Sequence, residues 1–234
     1  MRPSYRPYIQ PKPQPYRTQI LDHLGLVAGM CDELGIGTVL DHATAQDPEM
    51  RRVTLGNAVK AMVLNGLGFV NHQLSLMPMF FQNTPTQRLI GPGIEAHHLH
   101  DESLGRALDT LYSSGVTALY GLVAAHAATQ LGLTPTFAHL DSTSFHGDGR
   151  YNSAEEPEPH VVHITQGYSR DHRPDLNQVM LDLIVEHQAG IPLLMRPLSG
   201  NTNDTRDCGQ VVTRHSAQLR TTSGLTYLVA DSAL

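Results

Sequence analysis

The chain has 234 residues, a hydrophobic fraction of 40%, a mean hydropathy of −0.22 and a formal net charge of −6. That length suits one large domain or two small ones, and the charge argues against a protein whose whole surface grips nucleic acid. No apolar run approaches the roughly 20 residues needed to cross a bilayer, and Met1 to Arg17 lacks a signal-peptide core, so a cytoplasmic protein with no membrane partner is expected. The two cysteines, Cys31 and Cys208, are far apart and form no CxxC pair, which excludes a disulfide framework and a Cys-based zinc knuckle.

Residues 1–17 interleave Pro3, Pro7, Pro11, Pro13 and Pro15 with three tyrosines and four basic residues. Such a segment builds no core and is expected to be a disordered arm. From Thr18 the periodicity turns helical. Ile20, Leu24, Val27, Cys31 and Leu34 line one face, and Gly35 and Gly37 stop the run. Leu55, Val59, Met62, Val63, Leu67 and Val70 repeat the pattern behind Thr54, a candidate N-cap. Leu74 to Phe81 carries Pro78 and reads as a kinked or broken helix. Gly91-Pro92-Gly93 is a turn, Asp101 is placed to cap a helix through Leu104, Leu108 and Leu111, Gly115 ends it, and Val116 to Gln130 forms the next. Met62, Met77 and Met79 read as core filler, and Gly66 and Gly68 as sites of close packing.

The pattern changes at Pro135. Thr136 to Asp141 reads as a strand ending in a carboxylate, Val179 to Glu186 as a mostly buried strand, Gln188-Ala189-Gly190 as a turn, and Ile191 to Pro197 as the returning strand of a hairpin. Asp204 to Leu219 has the spacing of an amphipathic helix, and Leu225 to Asp231 is a last strand, again ending in Asp. Two aspartates on neighbouring strands suit a hard divalent cation, because Mg²⁺ prefers oxygen ligands and a metal pair can serve phosphoryl transfer. By spacing alone, turn or capping roles for the two remain the default. His139 lies two residues before Asp141, so on a strand both point to one face. That permits His139 to orient a carboxylate or substrate; a packed core histidine is the alternative. His97, His98 and His100 cluster before a helix cap without HExxH or Cys/His ligand spacing.

Several stretches in order carry a resemblance. HLDSTSFHGDG (His139 to Gly149) resembles the first-aspartate strand of bacterial insertion-sequence DDE transposases. Gly167 to Asp204 resembles the segment that follows it in the branch related to insertion sequence 4, and LVADSAL (Leu228 to Leu234) resembles the second-aspartate strand. Leu55 to Val70 and Leu104 to Gly115 resemble the helical N-terminal domain of these enzymes. The resemblance covers residues 18–234 and implies an α-helical N-terminal domain at 18–132 that binds DNA ends. An α/β ribonuclease-H-like catalytic domain would follow at 133–234.

It further implies Asp141 and Asp231 as catalytic metal ligands, Mg²⁺ (or Mn²⁺) as cofactor, transposon ends and target DNA as partners, and a homo-oligomer in the full-length form. Such an enzyme would be cytoplasmic, and nucleoid-associated when bound to DNA. Arg170, His172 and Arg173 lie in the most polar loop near that site and are the candidate phosphate contacts; the neighbouring Asp171 and Asp175 favour a self-satisfied turn instead. The family completes its acidic set with a glutamate on a downstream helix, whereas this sequence runs three residues past Asp231. An incomplete catalytic domain, inactive alone and with apolar surface exposed, is therefore expected. Two other readings stand beside it: a DNA-binding fragment that occupies transposon ends or inhibits a full-length copy, and a metal-dependent hydrolase of a small substrate.

Overall fold

A computed structural model describes residues 18–45, 52–70, 72–149, 151, 161–168, 173–202 and 224–230. Helices fill the first part of the chain and strands the second. The helices are α1 (Leu24–Glu33), α2 (Ile36–Ala43), α3 (Leu55–Gly66), α4 (Met77–Phe81), α5 (Thr86–Leu89), α6 (Asp101–Ser114) and α7 (Val116–Gln130). The strands are β1 (Phe137–Gly147), β2 (Asn177–Glu186), β3 (Pro192–Ser199) and β4 (Tyr227–Ala230).

The helical core follows from spacing. α1 buries Leu24, Ala28 and Cys31, and α3 buries Leu55, Ala58, Ala61 and Leu64, each set one helical stripe. Burial pushes the Cys31 thiol pKa up. Thr54 caps α3 as its position predicts, its hydroxyl accepting from the Asn57 backbone N–H at 3.2 Å. Pro78 sits in the first turn of α4, where the missing N–H has no helical partner to lose. A short 3₁₀ turn at Leu74–Leu76 precedes it, so the apolar run is indeed broken.

Several readings of this half are corrected. Gly35 does stop α1, but its left-handed backbone (φ 63°) also starts α2, a helix the two glycines concealed. Gly37 lies inside α2 because α3 crosses there backbone to backbone, against Gly56. α3 ends at Gly66, so Leu67 and Val70 are exposed rather than core, as is Met79. His100, not Asp101, caps α6: the chain enters the helix one residue earlier, and the imidazole Nδ1 accepts from Ser103 N–H at 3.3 Å. Asp101 accepts instead from its neighbour Glu102.

The four strands form one mixed sheet in the order β3-β2-β1-β4. β2 is antiparallel to both β1 and β3, and β4 runs parallel to β1. This makes the second part an α/β arrangement with the β2–β3 hairpin on one side of β1 and β4 on the other. Strict alternation along β2 buries Gln178, Met180, Asp182, Ile184 and Glu186. With Ala138, Leu140 and Leu194 these make the covered face. There the Ser142 hydroxyl donates to Asp182 at 2.7 Å, satisfying a polar contact within the sheet. α7 lies against β3, and the Tyr120 hydroxyl donates to the Pro192 carbonyl at 3.0 Å; burial raises the Tyr120 pKa.

β1 does not end at Asp141. It continues through Gly147 because β2 pairs with it as far as Gly147↔Asn177, which places Asp141 mid-strand. The Pro/Tyr-rich arm, the Asp204–Leu219 helix and Cys208 lie outside the described residues.

Candidate functional site

The alternation that buries Ala138, Leu140 and Ser142 turns Phe137, His139, Asp141, Thr143 and Phe145 to the open face of β1. Asp141 therefore presents a solvent-accessible carboxylate flanked on the sheet by Leu183 of β2. One of its oxygens, Oδ1, accepts from the Ser142 backbone N–H at 2.8 Å. On the other side, β4 pairs from Phe137↔Tyr227 to Leu140↔Ala230. The paired ladder thus reaches the residue immediately before Asp141 on one strand and the residue immediately before Asp231 on the other. Asp231 itself lies outside the described residues. The Phe137 and Tyr227 rings stack at 4.8 Å and 17°, fixing the β1–β4 register at its far end.

His139 is exposed on the open face, as its two-residue offset from Asp141 predicts. Its Nε2 lies 2.9 Å from Nδ1 of His187. One imidazole must donate and the other accept, so the two rings cannot both be doubly protonated in this contact. Sequence reasoning missed His187, which follows the last residue of β2. Its backbone N–H donates to the Phe137 carbonyl at 3.1 Å and so sets its ring beside β1. Beneath this turn Glu186 is buried, with its carboxylate accepting from the Gln188 and Ala189 backbone N–H groups at 2.5 and 2.7 Å. It is a turn-forming acid.

Arg173 forms a bidentate pair with Asp175, Nε to Oδ1 at 2.9 Å and a terminal nitrogen to Oδ2 at 2.8 Å. The hydrogen bond with Arg173 holds the Asp175 carboxyl below its ordinary range, and the same bond raises the Arg173 pKa. Arg170 and His172, the other two candidate phosphate contacts, lie outside the described residues.

Among the described residues no group of three or more His, Cys, Asp or Glu side chains is gathered to hold a metal. Asp141 supplies a hard oxygen donor on an open face, the donor type that Mg²⁺ and Mn²⁺ accept. No helix among the described residues is long and apolar enough to cross a membrane.

The fold these residues define is helical followed by mixed α/β. Residues 16–125, which span the helices through most of α7, match the family model described as Domain of unknown function (DUF4277). No curated protein and no solved structure matches the chain.

Proposed function

We propose that this chain belongs to the DNA-processing machinery of a DDE transposase, with a ribonuclease-H-like sheet that carries Asp141 and Asp231 as its first two acidic residues. The observation that carries the reading is the parallel β1–β4 pair. Its register runs to Leu140↔Ala230, and an aspartate is the next residue on each strand. The antiparallel β1-β2-β3 set on the opposite side of β1 is the arrangement such a sheet needs. The matched helical domain, one found in transposase-like proteins, supports the same reading.

On this reading Asp141 and Asp231 would hold Mg²⁺ or Mn²⁺, which would supply Lewis-acid stabilisation of the oxygens exchanged in phosphoryl transfer. The open face leaves Asp141 accessible to a DNA phosphate. His139, which shares that face and is hydrogen-bonded to His187, would orient a carboxylate or substrate there. The partners are transposon ends and target DNA in the bacterial cytoplasm, engaged by a homo-oligomer. An end-specific gel shift, using duplexes from the sequence flanking the coding region against scrambled duplexes, tests this. The expected result is preferential binding of the flanking duplex that survives Asp141→Asn. Equal binding of both duplexes would remove the transposase reading.

A further inference from the structure

Beside the helical core, Arg52, His98, His100, Ser103 and Arg106 line a cleft of about 520 Å³ floored by Leu55 and Ala107. The two histidines spend the same ring atom in the same way. His98 Nδ1 accepts from the Glu95 backbone N–H at 2.9 Å, and His100 Nδ1 accepts from the Ser103 backbone N–H at 3.3 Å. A neutral imidazole has one acceptor nitrogen and one N–H. Both rings are therefore fixed as the tautomer that carries its proton on Nε2.

This creates a conflict at Arg52. Its guanidinium lies 3.0 Å from His98 Nε2, yet a guanidinium only donates and that nitrogen also carries a proton. The Glu95 N–H is locked in the 3₁₀ turn at Ala96–His98, so the exchangeable side of the conflict is the exposed Arg52 side chain. An oxygen anion seated between Arg52 and His98 would accept from both. The surroundings point the same way. The Ser103 hydroxyl adds a donor, as do the guanidinium N–H groups of Arg106 that its pair with Glu102 does not use, and the cleft adjoins the first turn of α6, a 14-residue helix whose N-terminal dipole favours negative charge. The first turn of α6 also carries two acids, and the Asp101 carboxylate accepts from the Glu102 backbone N–H. Glu102 pairs with Arg106 at 2.8 Å, and Glu95 accepts from the His98 backbone N–H and lies 3.3 Å from His97.

We propose that this cleft is a phosphate site, which takes a backbone phosphate of duplex DNA and so places the helical domain on the DNA at a point distinct from the sheet. Its DNA assignment rests on the transposase reading above; its phosphate chemistry does not. Burial, reinforced by His97 and Arg52 and opposed by Glu95, holds the His98 pKa low, so the ring stays neutral and keeps its Nδ1 acceptor at neutral pH.

The test uses the full chain with histidine ¹⁵N spectra and DNA binding. Inorganic phosphate and pyrophosphate are titrated at pH 7.5 into the wild type and an Arg52→Gln/Arg106→Gln variant; both arginines are exposed, so the fold should survive. The expected result is Nε2–H tautomers for His98 and His100, whose signals shift with pyrophosphate in the wild type and not in the variant. The duplex-binding salt slope should fall by about 1 to 2 in the variant. Arg88→Gln, a charge removed outside the cleft, should change it by less. Signals that shift while no duplex binds would support the phosphate site and refute the transposase reading. An Nδ1–H tautomer at either ring, or no response to pyrophosphate, would overturn the proposal, as would a DNA salt slope matching that of Arg88→Gln.

Discussion

Replacing Gly56 with alanine sets two effects of known size against each other. In a helix interior alanine is favoured over glycine by about 1 kcal/mol, and by less in the first turn, where Gly56 sits. At Gly56, however, a Cβ would lie 2.5 Å from Gly37 Cα and 2.7 Å from its carbonyl carbon, both backbone atoms of α2. Ordinary contact needs about 1 Å more, so α2 must retreat from α3. That separation stretches the 2.7 Å bond from the Gly56 N–H to Asp41 and loosens the core between the helices. Overpacking typically costs about 1–3 kcal/mol, and a clash with two backbone atoms belongs at the upper end. The net expectation is a loss of about 2 kcal/mol, or about 4–8 °C in Tm for a chain of this length. Gly121→Ala is the control: nothing lies within 4 Å of a Cβ there, mid-way along α7, so only the propensity gain remains and Tm should rise by about 2–4 °C. Calorimetry or circular dichroism melting of the two variants reads the signs directly. A Gly56→Ala protein melting at or above the wild type would refute the packing argument.

Other perturbations follow from single contacts. Lys60 is buried with its ammonium 2.6 Å from the more exposed Asp32, so Asp32→Ala strands a buried charge while Lys60→Met removes it. Denaturant titration should find Asp32→Ala the more destabilising, by about 1–3 kcal/mol; the reverse order would contradict the burial of Lys60. Glu186→Ala leaves the Gln188 and Ala189 N–H groups without their acceptor and should cost about 1–3 kcal/mol, with faster amide exchange at those two positions. Unchanged exchange there would exclude the capping role. Asp175 has its folded pKa depressed by Arg173, so the pair's contribution is present above the ordinary carboxylate pKa and lost as pH falls through the depressed value. A carboxyl ¹³C titration should show the Asp175 midpoint move up toward its ordinary value in Arg173→Gln. Cys31 is buried with its thiolate disfavoured, so thiol reagents should label it slowly under native conditions and rapidly in urea.

What the sequence disclosed depends on the range of the interaction involved. α3 and α6 were legible because their stripes, the Thr54 cap and the Gly115 break are local signals, and α7 because its run is rich in Ala and Leu. α2 was not, because Gly35 and Gly37 read as breakers until the left-handed turn and the crossing with Gly56 are known. The hairpin and its turn were legible from apolar runs around Gln188-Ala189-Gly190. The length of β1 was not: Ser142 and Ser144 are polar, and only the pairing with β2 keeps them in the strand. At the candidate site, the shared face of His139 and Asp141 came from two-residue periodicity alone. His187 required the tertiary contact, since nothing local distinguishes it from a turn histidine. The Arg52 cleft was hidden for the same reason: it joins residues 46 positions apart through a ring tautomer that only backbone geometry fixes.

The paired-carboxylate reading is tested most directly by adding Mn²⁺ to the isotope-labelled chain and following paramagnetic broadening of backbone amides. Broadening is expected to centre on Leu140 to Ser142 and on the end of β4, and to be abolished by Asp141→Asn and by Asp231→Asn while the remaining spectrum is preserved. Broadening that is absent, lies elsewhere, or persists in both variants would contradict the paired-carboxylate reading.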